Sequence, residues 1–89
     1  MLKETKLEII FKGIANKNRI KILLYLYKNP ESSVGEMSKL INLNIRTASD
    51  HIKKMMMAGL VMKRNESLTV RLALTKRGIN LAKYILTLS

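Results

Sequence analysis

The 89-residue chain contains no cysteine, no tryptophan, one histidine, one proline and only six acidic residues. Each shortage excludes something. Without cysteine there are no disulfides, no thiolate metal sites and no cysteine nucleophile. One histidine, His51, cannot by itself assemble a zinc or iron site, so no metal and no cofactor are expected. No apolar run approaches the roughly 18–20 residues that span a bilayer, so no membrane partner is expected. The opening MLKETKLEII mixes acids and bases, unlike the apolar core of a signal peptide, and an intracellular chain is expected. On that expectation the Asn65-Glu66-Ser67 match to the N-glycosylation pattern carries almost no weight. There is no carboxylate pair in a plausible cleft, no Gly-rich phosphate loop and no nucleophile with a base. No enzymatic activity is expected.

What the chain has is positive charge. Lys and Arg number 17, for a net charge of +11. Hydrophobic residues make up 47%, too many for a disordered basic tail. The expectation is a folded cationic module, a single domain over 1–89. The charge is uneven. Residues 1–41 hold 8 basic and 4 acidic side chains, for +4, and residues 42–89 hold 9 and 2, for +7. A basic excess gathered on one half is the footprint of a nucleic-acid binder.

Apolar spacing gives the elements. Leu7, Ile10, Phe11 and Ile14 predict an amphipathic helix over about 5–14 that Gly13 weakens or ends. Asn16 or Asn18 can cap a second helix, 17–28, with Ile20, Leu23, Leu24 and Tyr27 on its apolar face, widened by Ile22 and Leu26. Asn29-Pro30 stops it, and a short extended piece follows. Ser33-Val34-Gly35-Glu36 reads as a capping box for a helix over 35–41, with Met37, Leu40 and Ile41 inward. Asn42-Leu43-Asn44 is a tight turn. Asn44 caps a longer helix, 45–58, whose apolar positions are Ile45, Ala48, Ile52, Met55 and Met56. In the run of three methionines, adaptable core filling plus one exposed residue outweighs any ligand role. Gly59 is placed to end that helix in the left-handed conformation.

Beyond Gly59 the period changes to two. Leu68, Val70, Leu72 and Leu74 predict a strand over 68–74 with one buried face. Its partner spans 60–64, with Asn65-Glu66-Ser67 as the hairpin tip. Thr75 can cap a last helix, 76–88. Two helices joined by a tight turn and followed by a hairpin describe a mostly α fold with a small β wing, a winged helix-turn-helix.

Ile14 to Leu23, Ser33 to Met37, Leu43 to Ile52 and Met57 to Val61 together resemble the ArsR-type winged-helix repressors. Ile14 to Leu23, IANKNRIKIL, is similar to that family's LADPTRLRIL opening. Ser33-Val34-Gly35-Glu36-Met37 falls at its third-helix start. Leu43 to Ile52, LNIRTASDHI, resembles its recognition helix, with Ser49 and His51 in register. Met57 to Val61, MAGLV, is similar to its REAGLV, while Leu74 to Gly78, LTKRG, is closer to MarR-like proteins. The likeness covers about residues 10–80. Ser33 and Gly35 stand where metal-sensing members carry a Cys-x-Cys pair, and residues 76–89 hold no Asp, Glu or His. Both metal sites of that family therefore look absent. The resemblance implies a cytoplasmic protein of a prokaryote or its virus.

On the 45–58 helix, Arg46, Thr47, Asp50, Lys53, Lys54 and Met57 lie opposite the apolar stripe, flanked by Ser49 and His51. A mostly basic stripe backed by a core stripe suits a helix in the major groove, with Asn44 at its start. Arg46 is the first choice for a base reader, and a phosphate contact is the competing reading. Thr47 can meet a thymine methyl or a phosphate. Asp50 either accepts from cytosine N4 or orients Arg46 four residues earlier, the second being favoured. His51, by resemblance, touches the DNA backbone or braces the helix, and a packing role is its alternative. Lys63, Arg64, Asn65 and Arg71 put charge on the wing, for the minor groove or as general attraction.

Leu81, Tyr84, Ile85 and Leu88 stripe the last helix. With Leu7 and Phe11 they suggest a two-fold dimer through segments 1–14 and 76–89, as the resemblance implies. Folding back onto the chain's own domain is the alternative. The leading function is a dimeric, sequence-specific regulator of double-stranded DNA, most simply a repressor. A non-specific architectural protein and a protein-interaction winged helix are the alternatives. The residues identify no effector.

Overall fold

A computed structural model describes residues 2–66 and 68–88. Its elements are α1 (Glu4–Ile14), α2 (Lys17–Lys28), α3 (Val34–Leu40), α4 (Ile45–Met57), β1 (Val61–Glu66), β2 (Thr69–Leu74) and α5 (Lys76–Thr87). Every expected element is present, with bounds shifted by one or two residues. Among the described residues no helix is long and apolar enough to cross a membrane.

Side chains near the helix ends fix the boundaries. Asn16 caps α2, accepting from the Asn18 backbone N–H at 2.9 Å. The α3 capping box is complete: Glu36 N–H donates to Ser33 Oγ at 3.1 Å, and Ser33 N–H donates to Glu36 Oε1 at 2.9 Å. Thr75 caps α5 by accepting from Gly78 N–H. At the end of α4, Gly59 takes φ +73°, and Leu60 N–H donates back to the Met55 carbonyl at 2.9 Å. This is a Schellman closure, and Leu60 and Met55 are both fully buried beside it.

The core draws one stripe from each element. Ile22, Leu23, Leu26, Met37, Ala48, Ile52, Met55, Leu60 and Leu72 are essentially inaccessible. Four expected inward positions are not inside. Leu40 is 72% exposed and Ile45 also faces out, because the short α3 and the first turn of α4 extend past the body. On β2, Leu72 and Leu74 are buried, but Val70 is exposed and Leu68 wholly so. Only the base of the hairpin lies on the core. The antiparallel register runs from Val61 opposite Leu74 to Glu66 opposite Thr69, so Asn65 and Glu66 belong to β1, not to the tip expected for them. Ser67, the third residue of that expected tip, lies outside the described residues. The short extended piece does form, pairing Ser32 with Leu72.

Gly13 does not end α1. It lets α1 press onto α4, where an added Cβ would strike Ala58 Cβ. Gly78 is the same device in α5: an added Cβ would strike the Leu60 carbonyl oxygen and lie 3.3 Å from Leu74 Cβ. That carbonyl also accepts from Thr75 N–H at 3.0 Å, so it is not free to move. Gly78→Ala is expected to destabilise the fold by about 1–3 kcal/mol, the usual range for overpacking. Gly35→Ala meets only Ser33 Oγ, at 3.9 Å, and is expected to be neutral or to stabilise by up to about 1 kcal/mol. Urea unfolding of the two variants checks both signs.

Candidate nucleic-acid interface

α3 packs on α4 across a turn whose geometry the sequence dictates. Asn42 occupies the left-handed region at φ +55°, where asparagine is tolerated better than most residues. Leu43 N–H then donates to the Ser38 carbonyl at 2.8 Å, closing α3 in a Schellman motif with Asn42 in the usual glycine position. Asn44 starts α4 two residues later. Its side-chain oxygen accepts from the Arg46 and Thr47 backbone N–H groups at 2.8 and 3.4 Å. Only the Asn44 amide N–H groups remain available to reach outward.

From this anchored start α4 buries Ala48, Ile52 and Met55 and leaves Arg46, Thr47, Asp50, Lys53, Lys54 and Met57 exposed. Ser49 and His51 are half-buried on its flanks. Among the described residues the first turns of the face expected to read DNA, Arg46, Thr47 and Asp50, stay open, while Lys54 and Met57 at its end lie beside α1. The wing stands beside it. Lys63 of β1 shares a shallow surface hollow with Lys53, Met56 and Met57 of α4.

The sequence profile of the winged helix-turn-helix DNA-binding family matches residues 16–62, more than half of the chain. The chain belongs to that family. Among its relatives is the transcriptional activator HlyU of Vibrio cholerae serotype O1, 38% identical over 65 residues. That match covers 73% of this chain but only 59% of the relative. The solved structure of HlyU from Vibrio cholerae N16961 superposes with a TM-score of 0.84 at 32% identity, covering 99% of this chain and 97% of that one. The homodimeric winged helix-turn-helix domain of Mb0332 from Mycobacterium bovis, a possible ArsR-family regulator, shares the fold. Its TM-score is 0.87 at 22% identity, covering 94% of this chain and 78% of that one.

Within the winged helix-turn-helix frame, two contacts bear on the sequence-derived expectations. No ion pair joins Asp50 to Arg46 among the described residues. An acid four residues C-terminal to a base is the weaker order for a helix pair, opposed by the helix dipole. On the wing, Lys63 and Asn65 are exposed as expected, but Arg64 and Arg71 are engaged with the body. Arg64 pairs with Glu31 at 3.4 Å, and Arg71 pairs with Glu36 at 3.3 Å.

His51 is a brace. Arg19 of α2 donates from Nε to His51 Nδ1 at 3.1 Å and from a terminal nitrogen to the Lys12 carbonyl at 2.6 Å. One guanidinium thus ties the end of α1 and the start of α2 to the middle of α4. Arg19 had no assigned role in the sequence, since its partner lies 32 positions away. Burial pushes the His51 imidazole below its ordinary value, and the charges of Arg19 and Lys54 add to this against a smaller opposite pull from Asp50. The unfolded chain therefore takes up this proton first as pH falls. Below about pH 6.5 the folded state loses stability through this group, and above it the group has no effect. Thermal melts of wild type between pH 7 and 5 are expected to drop more steeply than those of His51→Gln. Equal slopes would show that His51 is not protected from protonation.

Proposed function

We propose that the chain is a dimeric, sequence-specific regulator of transcription that acts on double-stranded DNA in the cytoplasm. The observation that carries this reading is the uncovered polar face of α4, mounted on a rigid turn with its apolar face locked into the core. Arg46 and Thr47, in the first turn, meet base edges in the major groove. Lys53 and Lys54, in the later turns, meet phosphates. Lys63 and Asn65 extend the contact along the wing. The base-reading N-terminal turn and flanking backbone contacts are how helix-turn-helix proteins divide these tasks.

Dimerisation is supported by what α1 and α5 leave uncovered. Phe11 is 61% exposed, Tyr84 62% and Leu88 69%. Leu7 is also exposed. Leu81 and Ile85 pack partly on the chain's own core, so the inner half of the α5 stripe folds back and the outer half remains for a partner. The homodimeric assembly of the mycobacterial neighbour supports the same use. A two-fold pair would set two copies of α4 about one helical turn apart on an inverted repeat. Repression by occupying the promoter is the simplest mechanism, since it asks only for occupancy. Neither role needs catalysis.

Selection from random-sequence duplex at about 150 mM salt tests this, because exposed charges are then screened beyond about 8 Å. An enriched inverted repeat is the expected result. Strong recovery without enrichment would show an architectural binder, a reading the +11 charge favours. No recovery would contradict DNA binding by the chain alone.

A further inference from the structure

We infer that Glu31 and Glu36 set the specificity of DNA binding by holding the two wing arginines, Arg64 and Arg71, off the phosphate backbone. This rests on the proposed DNA-binding function and adds a residue class to it. Arg64 and Arg71 are register partners, directly opposite each other on one face of the hairpin. Like charges in that position repel. Two carboxylates from the α2–α3 corner resolve the repulsion. Glu31 Oε1 lies 3.4 Å from Arg64, while the Glu31 carbonyl and Glu36 Oε1 each accept from Arg71 at 3.3 Å.

The Glu31 backbone and the Glu36 carboxylate are each anchored by the protein itself. Glu31 sits in the left-handed region at φ +67°, and its N–H is bonded to the Leu72 carbonyl at 2.9 Å. Its position is therefore tied to β2 itself. Glu36 is held by the capping box. The Ser33 backbone N–H, its hydroxyl and then Arg71 keep the Glu36 carboxylate below its ordinary pKa, so it stays charged. The chain has only six acids, and two of them are committed here.

A carboxylate and a phosphate both offer a guanidinium charged oxygen acceptors, so they compete for it. DNA must therefore displace a carboxylate to recruit either arginine, whereas Lys63 has no ion pair among the described residues. Non-specific affinity follows the number of phosphates neutralised, so two withheld arginines lower it selectively. The base-reading turn of α4 is untouched. The ratio of specific to non-specific binding rises as a result.

The test uses the full chain and its salt dependence on random-sequence duplex. Glu31→Gln and Glu36→Gln remove charge but keep shape, and glutamine preserves the capping box at Glu36. Glu4→Gln is the control for net charge, since Glu4 has no ion-pair partner among the described residues. Each of the first two variants is expected to steepen the slope of log K against log salt by about 0.9, one additional phosphate contact. Random-duplex affinity at about 150 mM salt is expected to rise by about three- to tenfold, with a smaller change on the selected operator. Glu4→Gln is expected to keep the wild-type slope. The double variant Glu31→Gln/Arg64→Ala is expected to return to it, which assigns the extra contact to Arg64. Slopes for Glu31→Gln and Glu36→Gln equal to that of Glu4→Gln would overturn the inference while leaving the DNA-binding reading intact. A wild type with no duplex affinity at any salt would overturn both.

Discussion

Replacing Arg46 with alanine is expected to remove base preference at one position of each half-site and to weaken binding to the selected operator by about 1–3 kcal/mol. Arg46 is exposed in the first turn of α4, and Asn44 pins that turn by two backbone bonds. With no ion pair to Asp50, its guanidinium is free to make the two-pronged contact that guanine offers. Lys54 provides the contrast. It stands in the last turn, beside Ile9, Lys12 and Gly13 of α1 and Arg19 of α2, closer to the body than to the tip of the reading face. Lys54→Ala is expected to weaken every sequence alike and to reduce the salt slope by about 0.9. Repeating the selection with both variants separates these outcomes. Loss of affinity in both without any change of preference would show that Arg46 is a backbone contact.

Phe11→Asp is expected to have the larger effect on operator affinity, about 10²–10⁴-fold, by separating two linked half-site contacts. Phe11 is the only phenylalanine in the chain, and most of its surface is bare. An aspartate there leaves the core intact, because the buried residues of α1 are Gly13 and Ile14. In a two-fold interface it would place an unpaired charge on both sides of an apolar seam. Sedimentation should show a monomer, and a single half-site should be bound as well as by wild type. A dimer with unchanged affinity would mean that α1 lies outside the interface.

Local signals made most of the fold legible. As helix caps and stops, Ser33, Asn44, Gly59 and Thr75 act within four residues of themselves, and each does what its side chain or its freedom at positive φ allows. The switch from a helical to an alternating pattern after Gly59 located the wing. The failures share one cause, which is that periodicity identifies a face but not where the core stops. Leu40, Ile45, Leu68 and Val70 continue correct patterns beyond the edge of the body. The glycine contacts join distant segments: Gly13 meets Ala58, and Gly78 meets Leu60. The same holds for the site. The exposed face of α4 was readable from its own sequence. The Arg19–His51 brace and the Glu31 and Glu36 contacts to the wing were not, because their partners lie more than 30 positions apart. Arg46 and Asp50 had suitable spacing but the unfavourable order.

The proposed function puts α4 in the major groove, twice per operator. Dimethyl sulfate protection on the selected duplex decides this, because it reports guanine N7 in the major groove and adenine N3 in the minor groove separately. Two patches of N7 protection, centred about 10–10.5 base pairs apart on one face, are expected, with any N3 protection confined to the flanks. Protection at N3 alone, or N7 sites that stay fully reactive in the bound complex, would place α4 outside the major groove.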